Sequence, residues 1–167
     1  MPAGLKQTSS VVPIGFGVSE PSANTFTQAS VDLNLSPLDR EVFVVLAINL
    51  DPFTPDLGAG DSKVECSLTT TSQTSVKNLS ESNCLAASGN FLKADAARAV
   101  SFQSMAGETP PATLDYIGII ATNDFFIQGQ GSGNLVAKGM DGKLYGYRAR
   151  ADADIFAALV QSEVLSA

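Results

Sequence analysis

EVFVVLAINL, residues 41–50, is the stretch that decides the fold. It is an unbroken apolar run of strand length, and Val42, Val44, Val45 and Ile48 are β-branched, which favours a pleated chain over a helix. Apolar residues fall at both parities, so the run reads as a central strand buried on both faces. Ser36-Pro37-Leu38-Asp39 punctuates the chain before it, and Pro52, Pro55 and the stretch Gly58–Asp61 form a loop after it.

The flanking segments carry a different strand signature. In FTQASVDLNL, Val31, Leu33 and Leu35 share one face, with Asp32 and Asn34 on the other, the period-2 pattern of a half-buried strand. SKVECSLTTT repeats it with Val64, Cys66 and Leu68. Residues 75–90 are polar and turn-like, and residues 91–104 are open: FLKADAARAV suits a short helix, while VSFQ suits a strand edge. Pro110 and Pro111 reset the chain before two apolar runs around Ile117–Ile120 and Phe125–Ile127, separated by Thr122-Asn123-Asp124. Turn signals at Gly131–Asn134 and at Asp141-Gly142 predict a three-stranded meander over 125–150. The period then changes: Ile155, Phe156, Leu159, Val160 and Val164 fall on one helical stripe, with Asp152 and Asp154 at its start. The whole predicts a mainly β chain, an antiparallel two-sheet β-sandwich of jelly-roll-like form, with one C-terminal amphipathic helix over 152–165. Strand count by itself does not separate the jelly roll from other sandwiches. Residues 1–25, with Pro2, Pro13 and Pro21 among scattered apolar residues, read as an extended N-terminal arm preceding a single domain over 26–167.

Composition narrows the chemistry. The 167 residues contain no His and no Trp, so Ser-His-Asp and Cys-His catalysis are excluded, and nothing suggests an enzyme or a bound cofactor. Charged residues make up only 16%, against about a quarter in most globular proteins, which suits a surface covered by neighbours as well as many small β-domains. The net charge of −7 argues against non-specific nucleic-acid binding by the domain as a whole. Cys66 and Cys84 lack the companions of a zinc site and read either as buried apolar residues or as a disulfide. Asp51, Asp56 and Asp61 in a Pro/Gly loop are weak candidates for calcium, a hard cation that takes carboxylate oxygens, though they do not match the EF-hand pattern. Gly129, Gly131 and Gly133 lie between strands, where no helix N-terminus follows to cradle a phosphate. Asn78-Leu79-Ser80 is a chance glycosylation match. The N-terminus has no charged leader before an apolar run, and no stretch is long enough to span a membrane as a helix, which predicts a protein made in the cytoplasm without a signal peptide.

Two segments are candidate partner surfaces. Val11, Val12, Ile14 and Phe16 make the N-terminal arm too apolar for a solvated linker, and Ile155, Phe156, Leu159 and Val160 line the terminal helix. Residues 138–150 carry a net +3 within this acidic chain. Lys143, Arg148 and Arg150 there are candidates to meet an acidic partner or nucleic acid, or else form a solvated strand face.

With VFVVLAINL, DYIGIIATNDFFIQGQG and KLYGYRARADADIFAALVQSEV as landmarks, the chain resembles the small β-sandwich or jelly-roll coat proteins of icosahedral viruses. The resemblance is one of architecture and covers the whole chain. It implies a self-assembling structural virion protein, a capsid subunit whose partners are copies of itself and other virion proteins. Unlike many coat proteins, this chain lacks a basic arm, so genome contact would fall elsewhere, at Arg148 and Arg150. Two other classes fit the same residues: an accessory decoration or fibre protein of a virion, and a ligand- or carbohydrate-binding β-sandwich, the latter weakened by the scarcity of aromatics.

Overall fold

The computed structural model describes residues 2–104 and 114–166; Pro110 and Pro111 lie outside them. Ten strands precede one helix: β1 (Leu5–Gln7), β2 (Val12–Ser19), β3 (Thr27–Asp32), β4 (Glu41–Pro52), β5 (Ser62–Thr69), β6 (Cys84–Ala94), β7 (Ala99–Ser104), β8 (Gly118–Ile120), β9 (Asp124–Ser132), β10 (Gly139–Ala151) and α1 (Ala153–Leu165). They form two antiparallel sheets. One runs β1-β10-β4-β8, with β2 beside β1 on the same edge of β10; the other runs β3-β9-β5-β6-β7.

The pairing has a simple logic. Folding the chain back on itself pairs β2 with β10, β3 with β9, β4 with β8 and β5 with β6, each antiparallel. Wrapping that long two-stranded ribbon then brings β10 against β4 and β9 against β5. A ribbon wrapped in this way, eight principal strands in two four-stranded layers, is the jelly roll. The expected fold class is therefore present, and strand order supplies what strand count could not.

β4 occupies the position its composition demands, hydrogen-bonded on both sides and covered on both faces. Its odd residues Phe43 and Val45 point between the sheets, and its even residues Val42 and Val44 point to the outer face. A bulge leaves Leu46 unpaired between Val45 and Ala47, so beyond it the even residues Ile48 and Leu50 point inward. The inter-sheet core is completed by Cys66 and Leu68, Phe125 and Ile127, Met140 and Leu144, with Ile14, Phe16 and Val18 packed on its margin. Phe16 meets Phe125 edge-on, with ring centroids 5.6 Å apart. Both cysteines are unbonded and buried.

Three expectations need correction. Residues 1–25 are extended, but they lie on their own domain: β1 and β2 together form a broken edge strand along β10. The meander over 125–150 does not form, because β9 and β10 belong to different sheets and Asp141-Gly142 sits inside β10. Gly142 serves close approach instead of a turn, since a Cβ there would stand 2.6 Å from the Asn49 carbonyl and 2.6 Å from the Phe16 ring. The turn-like reading of residues 75–90 fails from Cys84, where β6 begins; FLKADAARAV, open on sequence alone, is a hairpin in which β6 runs to Ala94, Asp95 Oδ1 accepts the N–H groups of Ala97 and Arg98, and β7 returns.

The helix matches its expected span, with Asp152 at the N-cap position. It lies on the outer face of the β10-β4 sheet, where Ile155, Phe156, Leu159 and Val160 pack over Val42, Val44, Tyr147 and Ala149. Glu163 fastens its far end, accepting the N–H groups of Ala121 at 2.6 Å and Thr122 at 3.1 Å. No helix among the described residues is long and apolar enough to cross a membrane.

Candidate assembly surface

At one end of the sandwich three loops meet: residues 20–26, 53–61 and 133–138. Their backbone polar groups, turned away from both sheets, need other partners. Buried Glu20 supplies several, accepting N–H groups from Thr25 at 2.6 Å, Lys138 at 2.9 Å and Gly131 at 3.1 Å. Asn134, also buried, exchanges hydrogen bonds with Asn24 and accepts the Asp56 N–H at 2.9 Å. Asp56 in turn accepts the N–H groups of Leu135 and Val136 and pairs with the Lys138 ammonium at 2.7 Å. That ammonium, together with the two amides, holds the Asp56 carboxyl below its ordinary pKa. Gly133 has φ +70°, and a side chain there would collide with the Asp61 carbonyl, so glycine alone fits the turn.

The side chains mounted on this scaffold are apolar and bare. Leu135 is 75% exposed, Leu57 64% and Val136 56%. A flexible loop showing such residues would be unremarkable. Here a polar network fixes the backbone beneath them, which is how a binding surface is preorganised. The sequence carried only a faint signal of it, large apolar residues set inside otherwise Gly-, Pro- and Ser-rich turns. Glu20, Asn24 and Asn134 carried none beyond general turn propensity.

The residues picked out in the sequence are scattered. Asp51 lies in β4, Asp56 is committed to the loop end, and Asp61 pairs with Lys93 and accepts the Ala94 N–H. No group of three or more His, Cys, Asp or Glu among the described residues is placed to hold a metal ion. Val11 and Val12 are exposed, whereas Ile14 and Phe16 half-bury themselves against the inter-sheet core. Ile155, Phe156, Leu159 and Val160 are half-buried on their own sheet.

The basic residues do not form one stripe. Arg148 pairs with Phe43 and so faces between the sheets, as its partner does. Its guanidinium donates to the Leu33 and Asn34 carbonyls and to Glu41 at 3.2 Å, closing the end of the sandwich opposite the loop network. Arg150 shares that parity and lies 3.7 Å from Asp39, while Lys143 emerges from the other face of β10. The outer face of the β5-β6 sheet carries a shallow groove of about 710 Å³ lined by Glu65, Lys77, Leu79, Ser88 and Phe91. Beneath it the Cys66 thiol, which belongs to the inter-sheet core, is pushed up to about 12 by burial, and so stays protonated and inert.

No protein-family model matches the chain, and no curated protein matches it in sequence. Several solved structures are similar over most of the chain. A chain of Desmodium yellow mottle tymovirus is 10% identical, with 92% of this chain and 89% of that one covered and a TM-score of 0.32. VP1 of Trichodysplasia spinulosa-associated polyomavirus is 8% identical, with 88% and 98% covered and a TM-score of 0.40. A chain of Turnip Yellow Mosaic Virus is 10% identical, with 88% and 99% covered and a TM-score of 0.29.

Proposed function

We propose that the chain is a structural subunit of a virus coat, acting by contacts with copies of itself. The observation that carries the reading is the loop end, where Leu57, Leu135 and Val136 are held bare on a backbone pinned by Glu20, Asn134 and Asp56. Apolar side chains on a rigid mount lose little entropy on docking, and the charges of Asp56 and Lys138 beside them are already paired with each other. The compact jelly roll, the low charge and the lack of His support a scaffold role over catalysis. Coat formation would place the chain in the virion.

Expression of the protein alone, followed by electron microscopy, tests the reading. Closed shells are expected. A stable monomer or trimer would sink it in favour of a decorating protein that needs another lattice. Replacing Leu135 or Val136 by Asp is expected to abolish assembly while leaving the circular dichroism spectrum and unfolding midpoint near the parent values, because both side chains already face water.

A further inference from the structure

Open sheets end in rows of unpaired N–H and C=O groups, and proteins usually guard them with proline, charge, shortness or a covering element. Among the described residues, three of the four sheet edges are guarded. β2 carries Pro13, β8 has three residues, and β3 runs beside β2 and ends in Asp32. β7 is different. It forms the margin of its sheet, pairing among the described residues with β6 alone, and all six of its residues are exposed. AVSFQS contains no charge and no proline, and Val100 and Phe102 are each 56% exposed on one face.

The ladder fixes what this edge can accept. Asp95 N–H donates to the Arg98 carbonyl, so those two residues turn their ladder groups toward each other and the alternation runs on from them. Val100 and Phe102 therefore bond inward to Lys93 and Phe91, and Ala99, Ser101 and Gln103 turn their N–H and C=O groups outward. An antiparallel partner must set outward residues opposite outward residues. We propose that β7 is the seam of a two-fold dimer, pairing antiparallel with β7 of a second copy about an axis through Ser101. In that register Ser101 faces its own counterpart, and Ala99 faces the second copy's Gln103. Val100 meets the second copy's Phe102 twice, an aliphatic–aromatic pair of the kind that stabilises sheets. No like charges oppose each other, and one segment satisfies both sides of an isologous interface. This self-complementarity favours a second copy over an unrelated strand. The inference rests on the self-association proposed above and adds to the loop end a second, separate surface through which copies would pair.

Engineered cysteines test both seam and register in the full-length chain. Hydrogen-bonded antiparallel partners stand about 5.5 Å apart between Cα atoms, within the span of about 4.4–6.8 Å that a disulfide bridges. Under mild oxidation Ser101→Cys is expected to give a covalent dimer on non-reducing gels, and Gln103→Cys, whose counterpart lies further off, is not. Ser101→Pro removes an outward N–H that the monomer does not use, and is expected to leave a folded chain that sediments as a monomer. If the parent self-associates while Ser101→Cys stays uncrosslinked, the seam is wrong and self-assembly stands. If the parent sediments as a monomer at every concentration, both proposals fall. Crosslinked dimers that never close into shells would uphold the seam and overturn the coat.

Discussion

Single side chains at the loop end combine little exposure with many partners, and their removal separates structural from binding effects. Glu20 is buried and accepts three backbone N–H groups. In Glu20→Gln an amide donor faces amide donors, leaving at least one buried N–H unmet. We expect a loss of roughly 1–3 kcal/mol in urea unfolding at neutral pH; an unchanged midpoint would show that water replaces the carboxylate at no cost. Asp56 gives a pH signature. Its carboxyl is held below the ordinary value, chiefly by the Lys138 ammonium, so its contribution is complete above that value and is lost as pH falls through the lowered one. The amide resonances of Leu135 and Val136 should therefore titrate together, below the ordinary carboxylate range, and stop doing so in Asp56→Asn. Movement at mildly acidic pH would assign the titration to another group. The Cys66 thiol, pushed up to about 12 by burial, is expected to resist a thiol reagent until the protein is denatured; rapid labelling of native protein would show that the groove opens to the core.

At the scale of elements, the sequence disclosed strands better than their partners. β4 was legible because burial on both faces leaves a continuous apolar run, and α1 because its stripe has a period that no strand shares. What misled was glycine. Asp141-Gly142 has the composition of a hairpin turn, yet neither residue takes a positive φ, and the chain runs straight through in β10. The need for glycine arises from strands distant in sequence: β4 and β2 approach Gly142, and Val44 and Phe43 of β4 approach Gly146. A single sequence cannot distinguish a glycine chosen for torsional freedom from one chosen for room. The loop network was illegible for a related reason, since Glu20 and Lys138 meet only after the ribbon has wrapped. Gly142→Ala tests the assignment of room. If Gly142 were a turn residue at positive φ, alanine would be strained locally; as a strand residue it must displace Phe16 and the Asn49 carbonyl. We expect a cost of about 1–3 kcal/mol from overpacking, relieved in part by Phe16→Leu in the same chain. Without such relief, the crowding against Phe16 is not the cause.

For the whole molecule, the fold makes the two ends of the chain interdependent. β2 pairs with β10 across more than a hundred residues of intervening chain, from Val12↔Gly146 to Ser19↔Gly139. Loop closure over such separations precedes its reward, so folding is expected to be slow for a chain of this size. The same topology separates an N-terminal arm from an integral strand. A true arm can be removed and leave a folded domain, as the proline-rich composition of residues 1–25 alone would allow. Here removal would strip Ile14, Phe16 and Val18 from the inter-sheet core, break the Phe16–Phe125 contact and expose one edge of β10. Full burial of such a side chain stabilises by about 1.5–3 kcal/mol; these three are half-buried and contribute a part of that each, but their loss together with the whole β2–β10 ladder is large against a total stability of about 5–15 kcal/mol. A chain beginning at residue 20 is therefore expected to lose its cooperative thermal transition and its dispersed amide spectrum. Adding back a peptide of residues 1–19 should restore both, because β10 keeps the complementary edge. If the truncated chain instead melts cooperatively near the parent temperature, β2 is a detachable strap. A neighbouring subunit's β2 could then occupy the vacated edge, linking copies by strand exchange.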